Sequence, residues 1–301
     1  MDFKLLKSDR QIKENADIKK MISEMFSEIK KDKEVMTYLK KLGIEDEEFI
    51  RNNVATIMLL KDDLDYCRNC PGFTNCNKPH HHYVFTLNYD GNNIGKALKP
   101  CELKVKDEKI NESYLIRDFP DAWREMSVAK LDKSKVRMPL IKRYKEALET
   151  SRNWIYITGS HRSGKSIAAA AILNGFIKLK KGKGAFLNYP ERARELQDYT
   201  YNNKDDFNNL IHLYSTVDYL VIDNFGNEYK SEYVRDSITL AILNERARRG
   251  LVTIFTSEFD FDDIAYMYSL NQAGKARGKQ LKNLLTSYAI NPIDISSAPI
   301  Y

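Results

Sequence analysis

The fold class is decided by one stretch, Gly159-Ser160-His161-Arg162-Ser163-Gly164-Lys165-Ser166. Two glycines with four residues between them, then a lysine and a hydroxyl residue, form the pattern of a phosphate-binding loop. The glycines let successive backbone N–H groups converge and surround phosphate oxygens. Lys165 adds a positive charge for the outer phosphates, and the Ser166 hydroxyl is placed to bind Mg²⁺. We therefore expect all eight residues to contact a nucleotide.

The context of this loop matches what the pattern requires. Residues 153–158 have the composition of a short buried strand, and residues 167–173 are typical of a helix. A helix that begins at the loop points its positive end at the bound anion. The alternative is a chance glycine turn, which would not need a strand before it and a helix after it. The sequence therefore predicts ATP binding with Mg²⁺.

The second half of the predicted nucleotide site is a carboxylate at the end of another strand. Residues 217–223 are nearly all apolar and end in Asp223, as in a buried parallel strand of the Walker B type. Asp223 is expected to hold Mg²⁺ together with Ser166. Further strands are predicted at 184–189, 251–257 and 287–295, and helices at 140–148, 191–201, 204–214, 232–249 and 260–285. This alternation predicts a parallel sheet between two layers of helices.

The first sixty residues predict helices. One apolar stripe follows helical spacing: Ile18, Met21, Ile22, Met25, Phe26 and Ile29. Such a stripe forms the core of a small helical domain, but it also suits docking of a partner helix. The pattern leaves both uses open.

All four cysteines of the chain lie within thirty-five residues, in a stretch rich in turn-forming residues. A Cys-x2-Cys knuckle followed by further Cys and His residues suits a structural, tetrahedral Zn²⁺ site. Disulfides are disfavoured in a cytoplasmic protein, and buried free thiols are the other alternative. Four ligands are expected from five candidates: Cys67, Cys70, Cys76, His82 and Cys101.

Length and composition set broader limits. A chain of 301 residues can form two domains, and its 30% charged residues and mean hydropathy of −0.53 indicate a soluble protein. It contains no apolar run long enough to span a membrane, and its first residues mix acids and bases. These features predict a cytoplasmic protein. The net charge of +6 is spread evenly, which permits contact with nucleic acid without arguing for it.

These patterns predict a helical zinc-binding domain over residues 1–102 and a nucleotide-binding domain over 136–301. Between them, residues 103–135 alternate Lys and Glu and contain few apolar side chains. We expect that segment to be a linker.

The four cysteines and the phosphate loop are accompanied by four short motifs: Asp223-Asn224-Phe225-Gly226, Tyr233-Val234-Arg235-Asp236, Phe255-Thr256-Ser257 and Lys275-Ala276-Arg277. In this order the motifs resemble those of the bacterial replicative helicase loaders of the DnaI/DnaC type, and of the DnaI form most. The resemblance covers nearly the whole chain. It implies an AAA+ ATPase that works as an oligomer, with an N-terminal zinc-bearing domain that binds the hexameric helicase. It also implies loading of that helicase onto single-stranded DNA at an origin or a stalled fork.

The resemblance assigns Arg277 to the position of an arginine finger, which would reach the γ-phosphate bound by a neighbouring subunit. The alternative is a solvated arginine in a lysine-rich stretch. Two positions depart from the family pattern. Asn224 stands where a second acid usually follows the Walker B aspartate, and Glu258 stands where an asparagine usually ends the next strand.

Because neighbouring parallel strands end side by side, Asn224 and Glu258 are expected to face the same γ-phosphate. Our hypothesis is that Glu258 orients the attacking water and that Asn224 reads the phosphate. The alternative is slow or absent hydrolysis. Two other functions remain open at this point: a transposition-helper ATPase that acts on double-stranded DNA, and an adaptor that binds nucleotide without hydrolysing it.

Overall fold

The structure, a computed structural model, describes residues 3–131, 137–147, 149, 154–180, 182–269 and 271–296, with side chains omitted at 3–15, 180 and 271–273. Parts of four predicted elements lie outside the described residues: Asn153 of the first strand, Leu148 of the helix before it, Leu270 of the helical stretch 260–285, and residues 132–135 of the predicted linker. The chain divides into two compact units, Met1–Lys109 and Ile110–Tyr301. No helix of the described part is long and apolar enough to cross a membrane.

The first unit packs four helices against a β-hairpin, and a fifth helix follows the hairpin. The elements are α1 (Phe3–Lys31), α2 (Lys33–Lys41), α3 (Glu47–Asn52), α4 (Val54–Arg68), β1 (Tyr83–Tyr89), β2 (Ile94–Pro100) and α5 (Glu102–Asn111). Of the predicted apolar stripe, Phe26 and Ile29 are buried in the core of this unit, whereas Ile18 and Met21 are each 49% exposed. The stripe therefore enters the core only at its C-terminal end.

The second unit is a six-stranded parallel sheet in the order β3-β5-β6-β7-β4-β8. The strands are β3 (Tyr114–Arg117), β4 (Ile155–Thr158), β5 (Gly184–Asn188), β6 (Tyr219–Asp223), β7 (Val252–Ser257) and β8 (Ile293–Asp294). The helices are α6 (Met138–Ala147), α7 (Lys165–Lys180), α8 (Tyr189–Asn202), α9 (Lys204–Thr216), α10 (Leu240–Arg249), α11 (Phe261–Met267) and α12 (Asn271–Ala289). Two separate apolar cores, one built around α7 and the other around α8 to α12, cover the faces of the sheet. The predicted parallel α/β sandwich is confirmed.

In the segment expected to be a linker, the described residues 103–131 are folded. It contains α5, β3 and two short 3₁₀ turns, and β3 pairs with β5 at the edge of the sheet. Although the segment has few apolar residues, Phe119 and Leu131 are buried in the core around α7. The amide of Asn174, a fully buried residue on α7, donates to the carbonyls of residues 123, 124 and 126. These contacts are long-range, so the local composition did not reveal them.

The last predicted strand, 287–295, is also different in the structure. Helix α12 continues to Ala289, because Leu281, Leu285 and Ala289 lie on one buried face at helical spacing. Ile290 then adopts a left-handed backbone conformation, φ 71°, which ends the helix, and only Ile293–Asp294 pair with β4.

Candidate nucleotide site

The phosphate loop connects β4 to α7, and its backbone has the conformations that the glycines permit. Gly164 has φ 86°, a region that residues with a Cβ rarely adopt. A Cβ on Gly159 would lie 2.7 Å from Ser163 Oγ, so a larger residue at this position would clash with the Ser163 side chain. The Ser163 hydroxyl is buried and has no hydrogen-bond partner among the described residues. An orphaned polar group in such a loop fits a phosphate ligand.

Lys165 is the first residue of α7 and is 7% exposed. Its ammonium donates to the carbonyls of Gly159 and Ser160, at 2.8 Å each, and lies 3.9 Å from Glu258 Oε1. Burial lowers the pKa of Lys165, while the carboxylates of Glu258 and Asp223 act in the opposite direction. The positive charge is thus held inside the loop, where the outer phosphates of a nucleotide would meet it.

Asp223 ends β6 and is 6% exposed. Burial raises the pKa of its carboxyl group, while hydrogen bonds from Thr256 and Ser166 oppose that shift. Ser166 and Asp223, the two predicted magnesium ligands, are therefore adjacent. A hydroxyl and a carboxylate beside a phosphate loop are the donor set that Mg²⁺ prefers, so the residues fit a Mg²⁺–nucleotide complex.

The two departures from the family pattern lie on the same cavity. This cavity, of about 290 Å³, is lined by the loop from His161 to Ile167 together with Trp123, Asn224 and Glu258. Pairing of β6 with β7 brings Asn224 and Glu258 to the same edge of the sheet, as the hypothesis requires. His161 Nδ1 lies 3.5 Å from Glu258 Oε1. An amide, a carboxylate and an ammonium thus line one cavity beside the phosphate loop.

Arg277 lies on α12 and does not belong to the lining of this cavity in the described part of the chain. Its side chain is 52% exposed, with Nε 3.6 Å from Asp236 Oδ1 and Nη1 donating to Gln280 at 3.0 Å. An exposed arginine on an outer helix is accessible to a neighbouring subunit.

The five candidate zinc ligands are not gathered into a metal site. Lys78 Nζ donates to Cys67 Sγ at 3.4 Å, and the backbone N–H of Lys104 donates to Cys101 Sγ at the same distance. The ring of His82 stacks on Phe73, and its Nε2 lies 2.8 Å from the Phe73 carbonyl oxygen. Across the described residues, no three His, Cys, Asp or Glu side chains form a group that could hold a metal ion. The predicted zinc site, including Cys70 and Cys76, is not supported.

Three residues of the site escaped sequence reasoning. Trp123 comes from the segment expected to be a linker, and no local pattern ties it to the phosphate loop. Thr256 donates to Asp223 Oδ1 at 2.5 Å and accepts from the backbone N–H of Asn224. The motif Phe255-Thr256-Ser257 contains it, but the sequence does not indicate its contact with the Walker B strand. Glu228, a buried carboxylate that accepts from the backbone N–H of Gly226, has no signal in the sequence.

Comparison with known proteins places this geometry in context. The replicative helicase loader DnaI of Bacillus subtilis (strain 168) is 25% identical over 277 residues, covering 86% of this chain and 86% of the relative. The resemblance to helicase loaders of the DnaI type is confirmed. No protein-family model matches the chain.

Two solved structures agree with the DnaI-type fold. A crystal structure of DnaI, 24% identical, superposes with a TM-score of 0.54 and covers 61% of this chain and 97% of that one. A primosome component from Streptococcus pyogenes serotype M3, 21% identical, gives a TM-score of 0.53 with 65% and 100% coverage. At these sequence identities the two structures support the fold alone. The roles of individual residues are inferred from the geometry of the site.

Proposed function

We propose that the chain is an ATP-dependent loader of the replicative DNA helicase onto single-stranded DNA in replication initiation or restart. The observation that carries this is the similarity to the Bacillus subtilis loader along 86% of both chains. Lys165 and Ser166 line one cavity, and the hydrogen bond from Ser166 brings Asp223 next to it, which supplies the groups that bind Mg²⁺–ATP.

The proposed ATPase reaction divides the site into roles. Lys165 and the loop amides bind the phosphates, and Ser166 with Asp223 holds Mg²⁺. Glu258 orients the attacking water, Asn224 reads the last phosphate, and Arg277 of a neighbouring subunit completes the site. The exposure of the Arg277 side chain supports this last assignment. A site completed by an arginine of a neighbouring subunit requires that the active form is a homo-oligomer.

We assign helicase binding to residues 1–102 and ATP hydrolysis to residues 136–301. The first region carries a cavity of about 1040 Å³ between α4 and the hairpin. Its walls include Leu59, Tyr66 and Leu98, each more than 40% exposed. Exposed apolar side chains around a groove are typical of a protein-binding surface, which supports a helicase contact there.

A pull-down with the purified replicative helicase and the full chain tests the proposal. Wild-type protein is expected to bind, and Leu98→Asp is expected to bind at least about tenfold more weakly because a charge replaces a buried contact. Leu179, which is 64% exposed on α7, provides the matched control as Leu179→Asp. Absence of wild-type binding to the helicase contradicts loading, whatever the ATPase activity.

The other candidate functions give different results. A transposition helper would respond to double-stranded DNA and would not bind the helicase. A nucleotide-switched adaptor would bind ATP without turnover, so ATP hydrolysis with and without single-stranded DNA separates it from a loader. Zinc forms no part of this proposal, since the described cysteines and histidines do not form a metal site.

A further inference from the structure

Glu228 is a buried carboxylate outside the residues assigned to nucleotide binding. It is 2% exposed. Burial of an unpaired carboxylate is costly unless hydrogen bonds satisfy its oxygens. Both oxygens of Glu228 are satisfied, each by a different part of the second unit.

One oxygen holds the turn that follows the Walker B strand. Glu228 Oε2 accepts the backbone N–H of Gly226 at 2.8 Å. The turn runs from Asn224 to Asn227, whose N–H donates to the Asn224 carbonyl at 3.1 Å. Asn224 and Gly226 have φ of 61° and 96°. Glu228 thus fixes the central amide of a turn whose first residue lines the nucleotide cavity.

The other oxygen holds the end of α11. Glu228 Oε1 accepts a hydrogen bond from the hydroxyl of Tyr268, a fully buried residue that caps this helix. The turn also packs tightly here, because a Cβ on Gly226 would lie 2.7 Å from Phe259 and 2.8 Å from Ile264. The turn therefore packs against α11, and Glu228 adds a polar link between the turn and the end of this helix.

We propose that Glu228 is a positioning residue that sets the Asn224 amide at the phosphate end of the nucleotide cavity. The inference rests on the proposed function, since it takes Asn224 as the residue that reads the last phosphate. Glu228 itself acts only through the backbone of the turn. Discrimination between nucleoside triphosphate and diphosphate then depends on a carboxylate that does not line the cavity.

The test compares affinities for AMP-PNP and ADP, each with Mg²⁺, by titration calorimetry on the full chain. Glu228→Met keeps the length of the side chain and removes both acceptors. Asn224→Ala and Glu228→Met are each expected to lower the ratio of ADP to AMP-PNP dissociation constants by about tenfold, the effect of one hydrogen bond to a charged group. The double variant is expected to lose no more than either single one, because both act on one contact.

Glu228→Gln serves as the rescue. Its amide oxygen can accept from Gly226 while its NH₂ donates to the Tyr268 hydroxyl, so the ratio is expected within about threefold of wild type. A purely structural role would lower the melting temperature of Glu228→Met and leave its ratio unchanged. If Glu228→Met does not fold, Tyr268→Phe removes one of the two bonds and is expected to shift the ratio in the same direction.

The outcomes separate the two proposals. A wild-type ratio in Glu228→Met, or in Tyr268→Phe if that variant has to be used, overturns the inference and leaves helicase loading intact. The same holds if Asn224→Ala keeps the wild-type ratio. A wild-type protein that binds neither nucleotide overturns the ATP-dependent function and the inference with it.

Discussion

The hydroxyl of Thr256 donates a hydrogen bond to Asp223 Oδ1 at 2.5 Å and accepts one from the backbone N–H of Asn224 at 2.9 Å. One side chain on β7 thus holds both the carboxylate that we propose binds magnesium and the first residue of the turn that follows it. Because Asp223 is buried and Asn224 is half-buried, water cannot readily replace the hydrogen bonds that Thr256 makes to them.

Replacement of Thr256 by Val is expected to weaken Mg²⁺–ATP binding by about tenfold or more, because a hydrogen bond to a charged group is lost. It is also expected to lower the free energy of unfolding by about 1–3 kcal/mol, since the Asn224 N–H loses its acceptor. Thr256→Ser keeps the hydroxyl and is the control. Calorimetry and urea unfolding measure the two effects, and equal affinities for Val and Ser variants would contradict the role of the hydroxyl.

Asp223 should reduce stability at neutral pH. Burial raises the pKa of its carboxyl above the ordinary 3.8, so the folded state holds a proton more tightly than the unfolded state. Stability therefore falls as pH rises from 3.8 through the raised pKa. Without nucleotide, Asp223→Asn is expected to raise the melting temperature at pH 7 by about 2–4 °C, and to lose Mg²⁺–ATP binding.

This gain should shrink as the pH falls toward 3.8, where wild-type Asp223 is protonated and no longer carries a buried charge. Melting curves of both proteins across that range check the sign. A gain that grows as pH falls would show that another group causes it.

Glu258 and Asn224 should differ in what they do to hydrolysis. Glu258→Gln is expected to lower kcat for DNA-stimulated ATP hydrolysis by about 10²-fold, as loss of a general base does, with little change in ATP affinity. Asn224→Ala should weaken binding of the triphosphate. Steady-state kinetics with single-stranded DNA measure both, and an unchanged kcat in Glu258→Gln rules out its assigned role.

Trp123 should report nucleotide binding. It lines the cavity, whereas Trp154, the other tryptophan of the chain, is fully buried and donates to the Leu251 carbonyl at 3.1 Å. Addition of Mg²⁺–ATP is expected to change the tryptophan emission of the wild type but not of Trp123→Phe, in which Trp154 supplies the remaining signal. A response that persists in Trp123→Phe would place the sensitive tryptophan elsewhere.

Asn174 should be among the most sensitive positions for stability. Its amide donates to three carbonyls, of residues 123, 124 and 126, and its oxygen accepts from the Tyr114 hydroxyl at 2.5 Å. Asn174→Ala leaves these buried groups unsatisfied and is expected to cost on the order of 3 kcal/mol of unfolding free energy. Asn244→Ala, at an exposed helical position on α10, is the control and should change stability by less than about 0.5 kcal/mol.

The sequence predicted best what is encoded locally. The phosphate loop and the apolar run that ends in Asp223 each lie within a few residues, and the alternation of strands and helices gave the parallel sheet. The placement of Asn224 and Glu258 on one cavity followed from the rule that parallel strands end at one edge.

Features that depend on distant contacts were missed. Strand β3 and Trp123 are held to the nucleotide unit by Asn174, some fifty residues further along the chain. Glu228 accepts a hydrogen bond from Tyr268, forty residues away. A glutamate and a tyrosine at that spacing form no recognisable sequence pattern. The cysteine spacing, by contrast, predicted a gathering of side chains that the structure does not contain.

The left-handed backbone of Asn224, at φ 61°, limits which amino acids the position accepts. Asn, Asp and Gly tolerate this conformation, whereas β-branched side chains do not. An exchange of Asn for Asp therefore alters the charge next to the phosphates while the backbone stays as it is. Position 224 is a place where substitution can change the charge beside the cavity without cost to folding, and an acid and an amide are among the few options open there.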